Sequence, residues 1–179
     1  NSTEASYISK IINRCKNEEI NEVNISIIAC YFPLYKILNK IKELKFLNSS
    51  LETFKKLLRL QIHEPLDEIK FSTSITRIGL INDNTSQKVK SQYEENPYPR
   101  WRHGNPSNEI KISYIKAINS DIRPRIIKPI YESKTLKVLI AGCGTGNQIL
   151  QAQRYQNCNI KAIDLSLTSL SYAQRKIYE

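Results

Sequence analysis

The chain has 179 residues and a formal charge of +10 at neutral pH. Its four cysteines form no Cys-x-x-Cys pair, and its two histidines are isolated from each other. The composition therefore argues against a metal site and against a disulfide framework, and it favours reduced thiols in a cytoplasmic protein.

The positive charge raises the question of nucleic-acid binding, because clustered lysine and arginine side chains neutralise phosphates. Here the basic residues are scattered, and isoleucine, asparagine and lysine are common together, which also fits a genome rich in A and T. A solvated basic surface is therefore favoured. A nucleic-acid partner stays open as an alternative that is not favoured.

The first part of the chain, residues 1–86, has the apolar spacing of amphipathic helices and is predicted to form a helical module. One helix is predicted over 19–31 and must end before Pro33. Its buried stripe is predicted to consist of Val23, Ile27 and Ile28.

A second helix in this module is predicted to begin at Ser50 as its N-cap. Its apolar positions recur at helical spacing: Leu51, Phe54, Leu57 and Leu58. Pro65 suits the first turn of a third helix, with Leu66 and Ile69 facing inward.

The function of the helical module stays open between two interpretations. No 34-residue repeat is detectable, and we favour a packing extension over a binding site for a protein partner. The most apolar stretch, residues 25–38, is interrupted by polar residues and by Pro33. It is shorter than the roughly 20 apolar residues of a membrane-spanning helix, so no membrane association is expected.

Residues 87–134 are rich in proline, tyrosine and charge. A helix over 88–95 must end before Pro97. The sequence Asn-Pro-Tyr-Pro-Arg-Trp at 96–101 predicts a stiff, extended strap. A further helix is predicted over 107–118, followed by a linker over 121–129.

The third part of the chain, residues 135–179, begins with a bare apolar run at 136–141. Such a run suits a strand that is buried on both faces of a parallel sheet. It is followed by three glycines at alternate positions, which let the backbone turn tightly and approach a ligand closely. These glycines are Gly142, Gly144 and Gly146.

A helix over 145–155 and a second strand over 159–164 are predicted next. The second strand ends in Asp164, twenty residues after Gly144, where an acidic residue can accept both hydroxyls of a ribose. A right-handed crossover would bring the glycine loop and Asp164 together at the carboxyl edge of the sheet. A last helix is predicted from Leu167, with Ser166 as its N-cap.

The glycine spacing narrows the choice of nucleotide. In the register that starts at Gly142, Asn147 stands where a dinucleotide fingerprint has its third glycine, and no Gly-Lys-Ser or Gly-Lys-Thr occurs in the chain. A site for a pyrophosphate is therefore disfavoured, and with it a dehydrogenase. Cys143, inside the loop, is interpreted as a small side chain in a tight turn rather than as a nucleophile.

Residues 138–148, VLIAGCGTGNQ, and 160–176, IKAIDLSLTSLSYAQRK, together resemble the first half of the cofactor site of class I S-adenosylmethionine-dependent methyltransferases. The segment SQKVKSQYEENPYPRW at 86–101 narrows the resemblance to a bacterial group that often carries tetratricopeptide repeats upstream. Weaker similarity extends back to about Ile25. Many class I enzymes have an acidic residue where Ala141 stands, and a contact that depends on it is not expected here.

The resemblance implies an α/β fold, with a helical N-terminal region followed by the start of a Rossmann-like sheet. It implies methyl transfer from S-adenosylmethionine to an unknown acceptor, and it assigns no catalytic side chain. The three loop glycines would give access to the methionine and sugar portions of the cofactor. Asp164 would hold the ribose, and Leu165 would border the adenosine.

Two aromatic side chains of the strap, Tyr98 and Trp101, are further candidates for cofactor binding. One interpretation is a lid that folds over the cofactor and shields it from water, with the aromatic faces near the positive sulfur. The other is an anchor between the helical module and the catalytic domain. The sequence leaves both open.

The chain begins with Asn1, contains no methionine and ends at Glu179, inside the last predicted helix. We therefore expect a fragment, truncated after the second strand and its helix and inactive as an enzyme by itself. The alternative is a non-enzymatic nucleotide- or partner-binding protein with a methyltransferase-like fold.

Overall fold

The computed structural model describes residues 2–17, 20–104, 111–128 and 135–179. These residues combine helices with a small parallel sheet of two strands. Contacts divide the chain into two compact units, residues 1–70 and 71–179. Residue 86, where the sequence placed the end of the helical module, lies inside a helix of the second unit.

The first unit is built from helices. Its elements are α1 (Ser2–Asn17), α2 (Glu22–Tyr31), two 3₁₀ turns (Leu34–Ile37 and Lys42–Phe46), α3 (Glu52–Leu58) and most of α4 (Glu64–Ser72). Their buried side chains form one apolar core made mainly of isoleucine and leucine, including Ile8, Ile11, Ile25, Ile28, Leu34, Ile41, Leu44 and Ile62. None of the described helices of the chain is long and apolar enough to cross a membrane.

Helix α2 ends before Pro33, as predicted, but its buried face differs from the predicted stripe. Ile25 and Ile28 are fully buried, whereas Val23 is 67% exposed. Ile27 is partly buried against the core. The prediction for Val23 was wrong because the inner face is centred on positions 25 and 28, and Val23 lies outside the arc that this pair defines.

Helix α3 begins later than predicted, and Ser50 is not its N-cap. Leu51 occupies the cap position without a side-chain hydrogen bond, and its N–H donates to the hydroxyl oxygen of Ser49 at 2.9 Å. Phe54 and Leu58 are buried, as the spacing predicted.

Helices α3 and α4 follow one another without a break, because a π-helical turn over Arg59–His63 joins them. Within that turn the Glu64 N–H donates to the Arg59 carbonyl, five residues back. Pro65 comes directly after this widened turn. Its ring would clash with a carbonyl four residues back in a regular helix, and a π turn relieves such a clash.

Pro65 thus lies in the first turn of α4, as predicted, and Leu66 packs partly buried against the core. Ile69 is 51% exposed, so its predicted inward position was wrong. Helix α4 instead buries the side chain of Glu68.

The second unit contains α5 (Asn84–Glu95) and α6 (Tyr114–Asp121) ahead of the sheet. Helix α5 ends at the predicted residue but begins earlier, at an N-cap formed by Asp83. Of the helix predicted over 107–118, residues 111–113 are not helical. Helix α6 starts after its N-cap, Ser113, and continues to Asp121, which is three residues beyond the predicted end and the first residue of the predicted linker. Residues 107–110 of that prediction, and Pro129 of the predicted linker, lie outside the described residues.

The sheet consists of β1 (Leu136–Ala141) and β2 (Cys158–Ile163), paired in parallel from Leu136 opposite Cys158 to Ala141 opposite Ile163. Helix α7 (Asn147–Ala152) connects them and is shorter at both ends than predicted. Helix α8 (Leu167–Tyr178) follows β2. The order strand, helix, strand, helix agrees with the prediction.

β1 is not buried on both faces, so that prediction was wrong for the described residues, and β2 is not buried on both faces either. Burial alternates along each strand, because successive side chains of a strand point to opposite faces. Ile140, Ile160 and Ala162 pack with residues of the glycine loop, α7 and α8. On the opposite face Leu139 is 65% exposed and Ile163 is 42% exposed.

Candidate functional site

The turn after β1 contains three glycines in a backbone conformation that other residues rarely adopt. The φ angles are +72° at Gly142, +50° at Gly144 and +91° at Gly146. Positive φ brings the Cβ of an L-residue too close to its own backbone, whereas glycine has no Cβ. The alternating Gly-x-Gly-x-Gly pattern is therefore required by the shape of this loop, independently of any ligand.

The three glycines differ in what lies beside them. A Cβ on Gly146 would stand 2.6 Å from the Cβ of Ala173, so this glycine lets the loop pack against α8. A Cβ on Gly142 would meet nothing within 4 Å among the described residues. Within the part of the chain that the structure describes, a Cβ on Gly144 would meet only the carbonyl oxygen of Tyr98, at 3.9 Å. The backbone at the first two glycines thus borders open space that a ligand can enter.

Asp164 lies directly beside the glycine loop, as the sequence predicted. The Gly144 N–H donates to Asp164 Oδ2 at 2.8 Å, and the Ser166 N–H donates to Asp164 Oδ1 at 2.9 Å. These two bonds use two of the roughly four lone-pair sites of a carboxylate. Each oxygen of this partly buried side chain can therefore still accept a hydrogen bond from a ligand.

The chain enters α8 directly after Asp164. Leu165 is 43% exposed, and Ser166 is the predicted N-cap, whose hydroxyl oxygen accepts the Ser169 N–H at 3.0 Å. Leu165 thus presents a partly exposed apolar side chain next to Asp164.

Glu94, at the end of α5, is a site residue that sequence reasoning missed. Its Oε1 accepts the Leu167 N–H at 2.7 Å, and its Oε2 accepts the Thr168 N–H at 3.1 Å and also the Thr168 hydroxyl. The carboxylate thus caps the first turn of α8 together with Ser166. Burial alone would raise the pKa of Glu94, but the hydrogen bonds from Thr168 and Leu167 outweigh it and lower the pKa.

Thr145, between the second and third glycines, was also missed. It is 2% exposed and bonds to the strap in two ways. Its hydroxyl donates to the Pro99 carbonyl at 2.7 Å, and its own carbonyl accepts the Trp101 indole N–H at 3.1 Å. No local sequence signal identifies such partners, because they lie 44 and 46 residues away.

Trp101 is held in place by α8 as well as by Thr145. Its ring meets that of Tyr172 edge to face, with 6.0 Å between centroids, and the Tyr172 hydroxyl donates to the Trp101 carbonyl. The Lys176 ammonium lies 5.2 Å from the Trp101 ring centroid. These contacts anchor the strap within the second unit. The Tyr98 side chain is 75% exposed, although its carbonyl lies beside Gly144.

Cys143 is only 1% exposed, and burial together with the nearby negative charge of Asp164 raises its pKa to about 11. A thiol with such a pKa is protonated at neutral pH and is a poor nucleophile. The interpretation as a small side chain in a tight turn is therefore supported. Within the described ranges, no group of three or more His, Cys, Asp or Glu residues could hold a metal ion.

Comparisons of the chain with protein-family models, with curated proteins and with solved structures found no match.

Proposed function

We propose that this chain contains the S-adenosylmethionine site of a methyltransferase, in a crevice lined by the glycine loop and Asp164, and that the methyl group is transferred to an acceptor. The observation that carries this proposal is the direct contact between the glycine loop, residues 142–146, and the Asp164 loop, residues 164–166, which connects β2 to α8. Gly144 has no side chain, so a ligand can approach its backbone. Its N–H donates to the Asp164 carboxylate, which can also accept hydrogen bonds from ribose hydroxyls.

The residues fit this cofactor better than a dinucleotide. Gly142 and Gly144 offer backbone at an open surface, which suits the amino-acid and sugar portions of a nucleoside ligand. Gly146 is used for packing against Ala173, and Asn147 follows it as the first residue of α7. Asn147 thus stands where a dinucleotide fingerprint has its third glycine, which packs the helix closely against the strand.

The bound cofactor would supply a methyl group on a positively charged sulfur. The protein's own contribution is then to orient donor and acceptor in line and to exclude water. In this proposal Asp164 orients the ribose through two hydrogen bonds, and Leu165 packs beside the base. Cys143, protonated at neutral pH, takes no part as a nucleophile.

Calorimetric titration tests the proposal. We expect binding of S-adenosylmethionine and S-adenosylhomocysteine, and no binding of NAD. Asp164→Asn keeps the size of the side chain but replaces one acceptor oxygen by a donor, so both ligands should bind about tenfold more weakly.

The matched control is Asp83→Asn, which alters another helix-capping carboxylate of the same unit, at the start of α5. This variant should bind both ligands like the wild type. Binding of NAD without any response to S-adenosylmethionine would contradict the proposed function.

A further inference from the structure

Residues 94–101 connect the two loops that form the site, and we call this stretch the clamp segment. At its beginning, Glu94 holds the first turn of α8, three residues after Asp164. At its end, Pro99 and Trp101 hold the glycine loop through Thr145. One short stretch of chain therefore bonds to both sides of the crevice.

The two loops are also bonded to each other directly. The N–H groups of Gly142 and Cys143 both donate to the Ile163 carbonyl, at 2.8 and 3.1 Å. The Gly144 N–H also donates to Asp164 Oδ2 at 2.8 Å. The clamp segment adds a connection that is separate from these direct bonds.

The composition of the clamp segment suits a spacer of fixed length. Pro97 and Pro99 each lock one φ angle, and Pro97 is buried. Beyond Trp101, the Lys176 ammonium donates to the Arg102 carbonyl at 2.9 Å. A stiff segment that is bonded at both ends transmits a displacement of one end to the other.

We propose that the clamp segment sets the separation between the glycine loop and the Asp164 loop, with Glu94 and Thr145 as positioning residues for the ligand. For ligand binding this inference rests on the proposed function. For the protein without ligand it stands on the bonded geometry alone. Neither residue is proposed to touch the cofactor.

Hydrogen exchange of the ligand-free protein tests whether the clamp segment couples the two loops to each other. Glu94→Gln should accelerate exchange of the Leu167 and Thr168 amides, which it bonds directly, and also of the Gly144 amide, which it does not touch. Thr145→Val should accelerate exchange at Leu167 and Thr168 in turn. Thr145→Ser keeps the hydroxyl and should exchange like the wild type.

If Glu94→Gln accelerates exchange only at Leu167 and Thr168, and Thr145→Val accelerates it only in the glycine loop, the clamp segment does not couple the two loops and the proposal is refuted. Circular dichroism verifies that each variant is folded. If Thr145→Val does not fold, Trp101→Phe replaces it, because this variant removes the indole N–H from the same connection.

The affinity for S-adenosylhomocysteine tests the positioning role. Glu94→Gln and Thr145→Val should each bind it about five- to tenfold more weakly, and Thr145→Ser should stay within about twofold of the wild type. Asp83→Ala removes the N-cap of α5 and should lower the stability without lowering the affinity. If Glu94→Gln and Thr145→Val lose stability but keep wild-type affinity, the positioning role is refuted.

A wild-type protein that binds no S-adenosylhomocysteine would instead refute the proposed function. The exchange data would then still decide whether the clamp segment couples the two loops.

Discussion

Gly144 and Gly146 are two residues apart in one loop and share a positive φ, yet their surroundings differ. Gly144 borders open space, whereas Gly146 is in contact with Ala173 of α8. The same sequence pattern thus contains one glycine that suits a ligand and one that suits packing.

A pair of substitutions separates these two roles. Gly144→Val should prevent binding of S-adenosylhomocysteine, because its branched side chain fills the space in front of the loop. The positive φ adds a strain of about 1–2 kcal/mol. Gly146→Ala should lower the free energy of unfolding by about 1–3 kcal/mol, because its methyl group overlaps Ala173. Titration and urea unfolding measure the two effects, and a Gly144→Val variant with wild-type affinity would refute the ligand role.

The thiols of Cys143 and Cys30 should differ in their reactivity. Cys143 is buried and its pKa is raised to about 11, whereas Cys30 is exposed. At about pH 8 only about 0.1% of the Cys143 thiol would be ionised. Iodoacetamide should therefore modify Cys30 and spare Cys143 in the folded protein, and both should react after unfolding. Mass spectrometry of tryptic peptides measures this, and rapid native labelling of Cys143 would contradict it.

At the scale of elements, the start of α8 depends on a carboxylate from α5. Glu94 accepts hydrogen bonds from Leu167 and Thr168, and these bonds lower its pKa against the effect of burial. Loss of a helix cap costs about 1 kcal/mol. We expect Glu94→Gln to lose about this much of the free energy of unfolding at neutral pH.

The pH dependence of that loss follows from the direction of the shift. A carboxylate with a lowered pKa in the folded state stabilises fully above its unfolded pKa of about 4.3. The stabilisation disappears as the pH falls through the lower folded pKa. The difference between wild type and Glu94→Gln should therefore shrink in acid, because both side chains are then uncharged. Urea unfolding across this range measures it, and a difference that is independent of pH would show that the charge of Glu94 is not involved.

The strap, residues 96–101, forms a second connection between elements, because Trp101 bonds to Thr145 of the glycine loop. Trp101→Phe removes the indole N–H that Thr145 accepts but keeps an aromatic ring beside Tyr172. The free energy of unfolding should fall by about 1–2 kcal/mol. Trp101 is the sole tryptophan, so its emission reports on this position alone. The strap would be interpreted as a lid over the cofactor rather than as an anchor if S-adenosylhomocysteine strongly changes this emission and Trp101→Phe keeps the stability of the wild type.

At the scale of the whole molecule, the two units have cores of different kinds. The first unit buries a continuous set of isoleucine and leucine side chains between helices. Among the described residues, the second unit has a smaller core around Cys143, Ile149 and Ala173. This core and the glycine loop of the candidate site share a residue, Cys143.

Local signals in the sequence predicted the strands, the turn and the last helix of the candidate site, but not the contributions of Glu94 and Thr145. The apolar runs predicted both strands, the glycines predicted the turn, and Ser166 predicted the start of α8. Each of these signals acts within a few residues, through backbone sterics or a nearby cap. The contact between the glycine loop and Asp164 then followed from parallel strand pairing, which places both strand ends at one edge.

Tertiary structure alone decided which of several equivalent positions face inward and which distant groups meet. The periodicity in α2 allowed Val23 as well as Ile25, and only the packing of the first unit buries Ile25. The connections of Glu94 and Thr145 join residues separated by 73 and 46 positions. Hydrogen bonds over such separations depend on how whole elements pack, so no local pattern in the sequence encodes them.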